Sequence, residues 1–291
     1  METGNIAEMV DADAATVLKS INENISKVGS WPIPLVGLIA LMPFLGAGPP
    51  FALLAALIAA MLAGLAFWLY KRDNTRFATV LMYDLDDTAT KVFEKFATEF
   101  DELSRSQKVM NIDTKGVVYD WKRHAGAAFE VKSGPARLGY GTPKRIQTNV
   151  SVPFIGGGMN TVYFFPDLLL VRQNKTIGGL DYRNVSIEFH DQLFNEVERV
   201  PGDSVVIGYT WRFVRRDGGP DRRFNNNFQI PVLNYQAMIV NGPGNFQKVL
   251  YISKNVIRTG FLNAIRALAY LHGNRRPTPA TQQPALLPQR S

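Results

Sequence analysis

FALLAALIAAMLAGLAFWLY, residues 51–70, is a run of 20 uncharged, mostly apolar residues. At ~1.5 Å per residue it makes a helix of roughly 30 Å, the thickness of a bilayer's hydrocarbon core. It ends a longer stretch: the 43 residues from Val28 to Tyr70 carry no charge at all, which has no place in an ordinary soluble domain. The first half of that stretch holds Pro32, Pro34 and Pro43, and Pro49-Pro50 follows directly. Proline removes a backbone donor and biases the residue before it away from the α region, so residues 46–50 read as a tight turn between two segments. A transmembrane helical hairpin over 31–72 follows, entering and leaving on one side.

The flanking charges agree. Lys19 and Lys27 precede the hairpin and Lys71, Arg72 and Arg76 follow it, which puts both ends on the positive, cytoplasmic side. Trp31, Trp68 and Tyr70 lie at the same ends, where amphipathic rings favour the interface. A cleaved signal peptide would need a short basic leader, whereas residues 1–30 hold two Lys and five acids. A buried core hairpin would need equally apolar surroundings, and nothing else in the chain supplies them. A single span with a re-entrant first segment stays open.

Charge divides the remainder. Residues 73–120 hold six basic and ten acidic side chains, residues 121–273 hold 19 against 10, and the tail 274–291 adds three Arg. The 291-residue chain has no Cys, which excludes disulfide scaffolds, thiolate metal sites and Cys nucleophiles.

Two amphipathic helices flank the hairpin. In the N-terminal segment (1–30), Ile6, Met9, Val10, Val17, Leu18, Ile21, Ile25 and Val28 recur at three- and four-residue steps. In 85–110, Leu85, Ala89, Val92, Phe96, Phe100 and Leu103 do the same, with Asp84, Asp86 and Asp87 at the favourable N-terminal end. Leaving the membrane on one side, their stripes are expected to pack together as a helical stalk, assigned to 73–114. The alternative pairs one stripe with a second copy, a homo-oligomer joined by a short coiled coil. The stretch Val80-Leu-Met-Tyr-Asp84-Leu-Asp86-Asp87-Thr88 resembles the first motif of haloacid dehalogenase-type phosphatases. The resemblance implies Asp84 as nucleophile and Asp86 as general acid on Mg²⁺. It covers nine residues. The chain after Thr114 lacks the family's βα alternation, so a helix cap is the plainer reading.

From 115 to 273 short alternating apolar runs are divided by Gly, Pro and Asn. Strands are expected at 117–121, 129–132, 148–152, 161–165, 168–172, 185–189, 205–215, 228–240 and 246–252. A closing helix is expected between Ser253 as N-cap and Gly273. Antiparallel strands followed by one amphipathic helix is the order of pleckstrin-homology (PH)-like barrels, giving an α+β class overall. The tail 274–291, rich in Pro and Gln, reads as disordered.

Two stretches, Tyr163-Phe-Phe-Pro-Asp-Leu-Leu-Leu-Val171 and Gly219-Pro-Asp-Arg-Arg-Phe-Asn-Asn-Asn227, resemble a bacterial family of uncharacterised membrane-associated proteins. The similarity runs from about Tyr83 to Leu271 and implies no activity, cofactor or ligand. The first stretch also resembles the strand-turn-strand of lipid-binding PH or GRAM domains, an analogy of fold alone.

Chemistry is concentrated in one loop. Arg212, Arg215, Arg216, Arg222 and Arg223 fall around a turn at 217–220, and five guanidiniums so close could bind phosphate or an anionic headgroup bidentately. The plain alternative is a solvated hairpin with Asp217 and Asp221 pairing locally. Next to an anionic leaflet, lipid is favoured over nucleic acid. His124, His190 and His272 are too scattered for a zinc site, Gly156-Gly157-Gly158 lacks the Lys-Ser/Thr of a P-loop, and no cofactor is expected. Asn149, Asn174 and Asn184 begin Asn-x-Ser/Thr triplets that matter only outside the cell. The expectation is a non-enzymatic scaffold of the bacterial inner membrane, its basic domain meeting anionic lipid or a protein partner. A magnesium phosphatase is the alternative.

Overall fold

The computed structural model describes residues 12–41, 48–117, 129–255 and 258–273. Five helices, α1 (Ala12–Ser26), α2 (Ile33–Leu41), α3 (Pro49–Arg76), α4 (Asp87–Ser104) and α5 (Arg258–Gly273), combine with largely antiparallel sheets. A five-stranded meander holds β4 (Arg137–Tyr140), β6 (Pro153–Gly156), β7 (Asn160–Phe164), β8 (Leu169–Gln173) and β9 (Thr176–Leu180) in that order. A six-stranded sheet runs β10 (Ser186–Asn195), β12 (Gln229–Gly242), β13 (Phe246–Ile252), β2 (Val109–Val117) and β3 (Phe129–Pro135), with β11 (Val205–Trp211) also on β12. The short β1 (Thr79–Leu81) and β5 (Ile146–Thr148) pair in parallel. The class is α+β, and the described strands form three sheets and no closed barrel. The residues before Ala12, most of the expected strand 117–121 and the tail 274–291 lie outside the described residues.

α3 opens on Pro49 and Pro50, where a missing N–H costs nothing, after Gly48 at φ 105°. Its segment Pro50–Arg76 is long and apolar enough to span a membrane, yet only 11% of its apolar window is buried. Leu53, Leu57 and Met61 are among its bare side chains. α2 runs antiparallel beside it: Trp31 meets Tyr70 edge-on at 6.0 Å, and Gly37 lies against Leu62. Nine residues long, α2 covers ~14 Å, half a hydrocarbon core.

The meander is buried on both faces, which explains why residues 162–165 and 168–171, either side of Pro166-Asp167, are apolar without alternation. Strand side chains alternate. Val162, Phe164, Leu169 and Val171 point into one core with Phe93, Phe96 and Phe100 of α4, Phe261 and Leu268 of α5, and Met238 and Leu250 of the larger sheet. Tyr163, Phe165 and Leu170 point the other way, onto Leu18 and Ile21 of α1. The apolar residues of the Tyr163–Val171 stretch are therefore core packing.

This overturns the expected stalk. α1 and α4 lie on opposite faces of the meander: Leu18, Ile21 and Ile25 pack on one, Phe93, Phe96 and Phe100 on the other, while Ile6, Met9 and Val10 lie outside the described residues. Amphipathic spacing reports that a face is buried without saying against what. Three smaller corrections follow. β2 begins at Val109, where the expected helix still ran; β1, β4, β6 and β9 form where no strand was expected. Ser253 does not cap α5: its Oγ accepts the Lys108 N–H at 3.0 Å and its N–H donates to Lys108 O. Between β12 and β13, Gly244 and Asn245 both take φ 59°, the paired positive angles of a type I′ hairpin turn.

Candidate anion-binding surfaces

The loop from Arg212 to Phe228 is braced from within. Val214 bridges Pro220, and the Arg215 N–H donates to Gly219 O at 2.8 Å while Gly218, at φ 83°, donates back to Arg215 O. Phe213 and Phe224 stack with centroids 4.1 Å apart. The Asn227 side chain accepts from the Phe213 N–H (3.0 Å) and donates to Phe213 O (2.8 Å) and Asp221 O (3.3 Å). Asp221 is buried and accepts the Arg223 N–H, its Nε at 2.9 Å and its Nη2 at 2.5 Å. Most residues of the Gly219–Asn227 motif therefore hold the loop's shape.

The five arginines divide accordingly. The Arg212 guanidinium lies over Phe213 (5.3 Å) and Phe228 (5.5 Å), Arg215 pairs with Asp217 at 2.8 Å, and Arg223 clamps Asp221, whose charge and hydrogen bonds raise the Arg223 pKa. Arg216 and Arg222 are exposed and have no ion pair among the described residues. Arg215, Arg216, Asp221 and Arg223 line a shallow cavity of ~250 Å³. Arg222 and Arg223 are thus not equivalent, because Arg223 pairs with a buried carboxylate, the local pairing the plain alternative expected. Losing its side chain would remove a charge-assisted pair from a buried carboxylate.

A second basic surface surrounds the root of α3. Lys71, Arg72 and Arg76 leave its last turns, Lys27 follows α1, and Lys144 and Arg145 come from the loop between β4 and β5. Three cations, Lys27 (5.9 Å), Arg76 (5.8 Å) and Arg145 (5.1 Å), converge on the ring of Phe77. Lys144 lies over Tyr70 (5.3 Å), Arg72 over Trp68 (5.3 Å) and Lys71 over Phe67 (5.1 Å). Arg145, in the left-handed region at φ 66°, donates through Nη1 to the carbonyls of Asn24 (2.5 Å), Ile25 (3.2 Å) and Lys27 (2.9 Å). A cation at a helix C-terminus satisfies orphan carbonyls and complements the dipole. Sequence reading found the members that flank the hairpin, but Lys144 and Arg145 are 68 or more residues beyond Arg76 and only tertiary structure brings them there.

The same root fixes the body to α3. Asp73 is buried and accepts the N–H groups of Ser30 (2.6 Å) and Trp31 (3.2 Å), with Gly29 so close that a Cβ there would stand 2.6 Å from Asp73 Oδ2. α3 ends at Arg76 and β1 starts at Thr79, whose N–H donates to Arg145 O at 2.8 Å. Across α1, the Asn22 amide pairs with both backbone groups of Ile177, at 2.7 and 2.8 Å.

The phosphatase-like residues are placed differently. Asp86 caps α4, its Oδ1 accepting the Ala89 N–H at 2.8 Å, and Asp84 sits exposed on the preceding loop. Strand β1 pairs with β5 in a two-stranded sheet, where that family uses a larger parallel one. His190 is exposed with Nε2 3.2 Å from Glu188; His124 and the His272 side chain lie outside the described residues. Asn149 pairs with both backbone groups of Tyr83, and Asn174 occupies the β8–β9 turn at φ 54°.

One buried cation escaped sequence reading. Lys248, at a core-facing position of β13, donates to Asn111 Oδ1 (2.8 Å), Gly157 O (2.9 Å) and Asn160 O (2.9 Å), tying both large sheets together. Burial lowers its pKa from 10.5 to about 8, against an opposing pull from Asp113. Between those pH values the unfolded chain binds a proton that the folded chain does not, so stability rises with pH. Above pH ~10 the buried Tyr182 and Tyr235 reverse the trend, because burial raises their pKa and their stabilisation is lost as pH climbs. Melting of the detergent-solubilised chain at pH 7.5 and 9.5 should show wild type gaining a few degrees relative to Lys248→Met, equivalent to ~1–2 kcal/mol. Parallel curves would remove the buried charge from the account.

No protein-family model, no curated protein and no solved structure matches this chain.

Proposed function

We propose that this chain is a membrane-anchored, non-enzymatic interaction or scaffold protein. In this reading α2 and α3 form a membrane hairpin, and the β-rich body stands on the cytoplasmic side of a bacterial inner membrane. The observation that carries it is the bare apolar surface of α3, 11% buried across its spanning window, joined through Asp73 and Arg145 to a folded basic body with only two residues between helix and sheet. In water such a surface would drive aggregation, and in a bilayer it costs nothing. The short, hydrogen-bonded root makes the body a fixed mount instead of a tethered bead. The body then serves as a PH-like platform in the limited sense of antiparallel strands closed by a C-terminal helix, meeting anionic headgroups or a protein partner. With Leu18 and Ile21 of α1 and the phenylalanines of α4 packed in the body's cores, the surfaces open to a partner or a second copy include the exposed Arg216 and Arg222.

The lack of native Cys allows a direct test. Single cysteines at Val28, Pro50 and Met159, all at exposed positions, are probed in spheroplasts and inverted vesicles with a membrane-impermeant maleimide. Residues 28 and 159 should label from the cytoplasmic side and residue 50 from the opposite one. Labelling of 28 and 159 from opposite sides would replace the hairpin by a single span, and labelling of all three from one side would make the pair re-entrant.

A further inference from the structure

We propose that the basic ring at the root of α3 is a binding site for the phosphate of an anionic phospholipid, a deepening that rests on the membrane reading above. Three segments far apart in sequence build it: Lys27, then Lys71, Arg72 and Arg76, then Lys144 with Arg145. Their convergence is costly in itself, since Lys27, Arg76 and Arg145 share one ring, Phe77, within 6 Å. Like charges gathered this way repel unless an anion lies among them. The described residues supply none: Lys27, Lys71, Arg72, Arg76 and Lys144 have no ion pair among them, Lys27 donates only to the neutral Asn24 Oδ1 at 2.7 Å, and Asp73 is buried and occupied by the Ser30 and Trp31 N–H groups. Arg145 is spent on the end of α1, which leaves the other five to meet a ligand.

Position selects the ligand. The cations lie at one end of the span, level with Trp31, Trp68 and Tyr70, whose rings mark the headgroup layer. Cations stacked on aromatic faces at this depth keep their stems in the interface while their heads reach phosphates. Free phosphate in the cytoplasm would need the same donors without the help of a bilayer that holds the ligand in place. The Arg212–Phe228 loop is a weaker candidate, because its own acids already neutralise two of its five arginines.

The test reconstitutes the full chain in phosphatidylcholine bilayers doped with brominated lipid, and reads quenching of Trp31 and Trp68. At equal mole fraction, brominated phosphatidylglycerol should quench as if bound at least fivefold more tightly than brominated phosphatidylcholine. Lys71→Gln with Lys144→Gln should bring that preference close to one, each cation near the surface counting for roughly a factor of five. Lys91→Gln with Lys95→Gln, an equal loss of exposed charge on α4, should leave it unchanged. Loss of preference on adding 10 mM inorganic phosphate would overturn the lipid assignment in favour of the free anion. Equal quenching by both lipids in wild type, or equal loss in the two double variants, would remove the site while keeping the membrane reading. Absence of quenching by either lipid would overturn both.

Discussion

Phe96→Ala should destabilise the β-rich body by ~3–5 kcal/mol, the range for emptying a fully buried aromatic site. Phe96 has no exposed surface and its ring meets those of Phe164 (5.2 Å), Phe261 (5.5 Å), Phe93 (6.3 Å) and Phe100 (6.3 Å), so three elements lose their common contact at once. Melting of the solubilised chain, followed by near-ultraviolet circular dichroism, should fall by roughly 10 °C. The size of the effect distinguishes the observed packing from a helical stalk. In a stalk, Phe96 would contact only α1 or a second copy, and its loss would leave the sheets melting as in wild type.

The second large effect concerns the opposite kind of surface. Leu57 and Met61 stand one turn apart near the middle of α3 and are 67% and 76% exposed. Replacing both with arginine would be nearly neutral on a soluble protein, because exposed apolar side chains contribute within about 0.5 kcal/mol. In a bilayer each arginine at the helix centre costs ~2.5–3.5 kcal/mol, and the two together offset much of what holds the helix in place. The same substitution therefore improves solubility under one reading and destroys anchoring under the other.

Much of this was legible in sequence, and the limits have physical causes. The charge-free run 28–70 announced α3, and the mostly β-branched and aromatic run 249–252 announced β13, because composition alone marks each. β9, Thr-Ile-Gly-Gly-Leu, was hidden by its two glycines; Gly179 has Leu18 of α1 packed so closely that a Cβ there would stand 2.8 Å from it. The arginine loop was found by composition, but which arginines are free depends on Asp221 being buried, a tertiary fact. Lys248 reads in sequence like any polar residue near a strand's start, and its register against Val240 of β12 places it inward. The root of α3 was half visible: flanking charge marked Lys71, Arg72 and Arg76, while Lys144 and Arg145 join them only because β5 pairs with β1.

Anchoring is the claim on which the rest stands, and alkaline carbonate extraction of membranes from cells expressing the full chain tests it most directly. Wild type should remain wholly in the membrane pellet, with Leu57→Arg plus Met61→Arg shifted to the supernatant or lost to degradation. Wild type released by carbonate, or a double variant retained like wild type, would contradict the account.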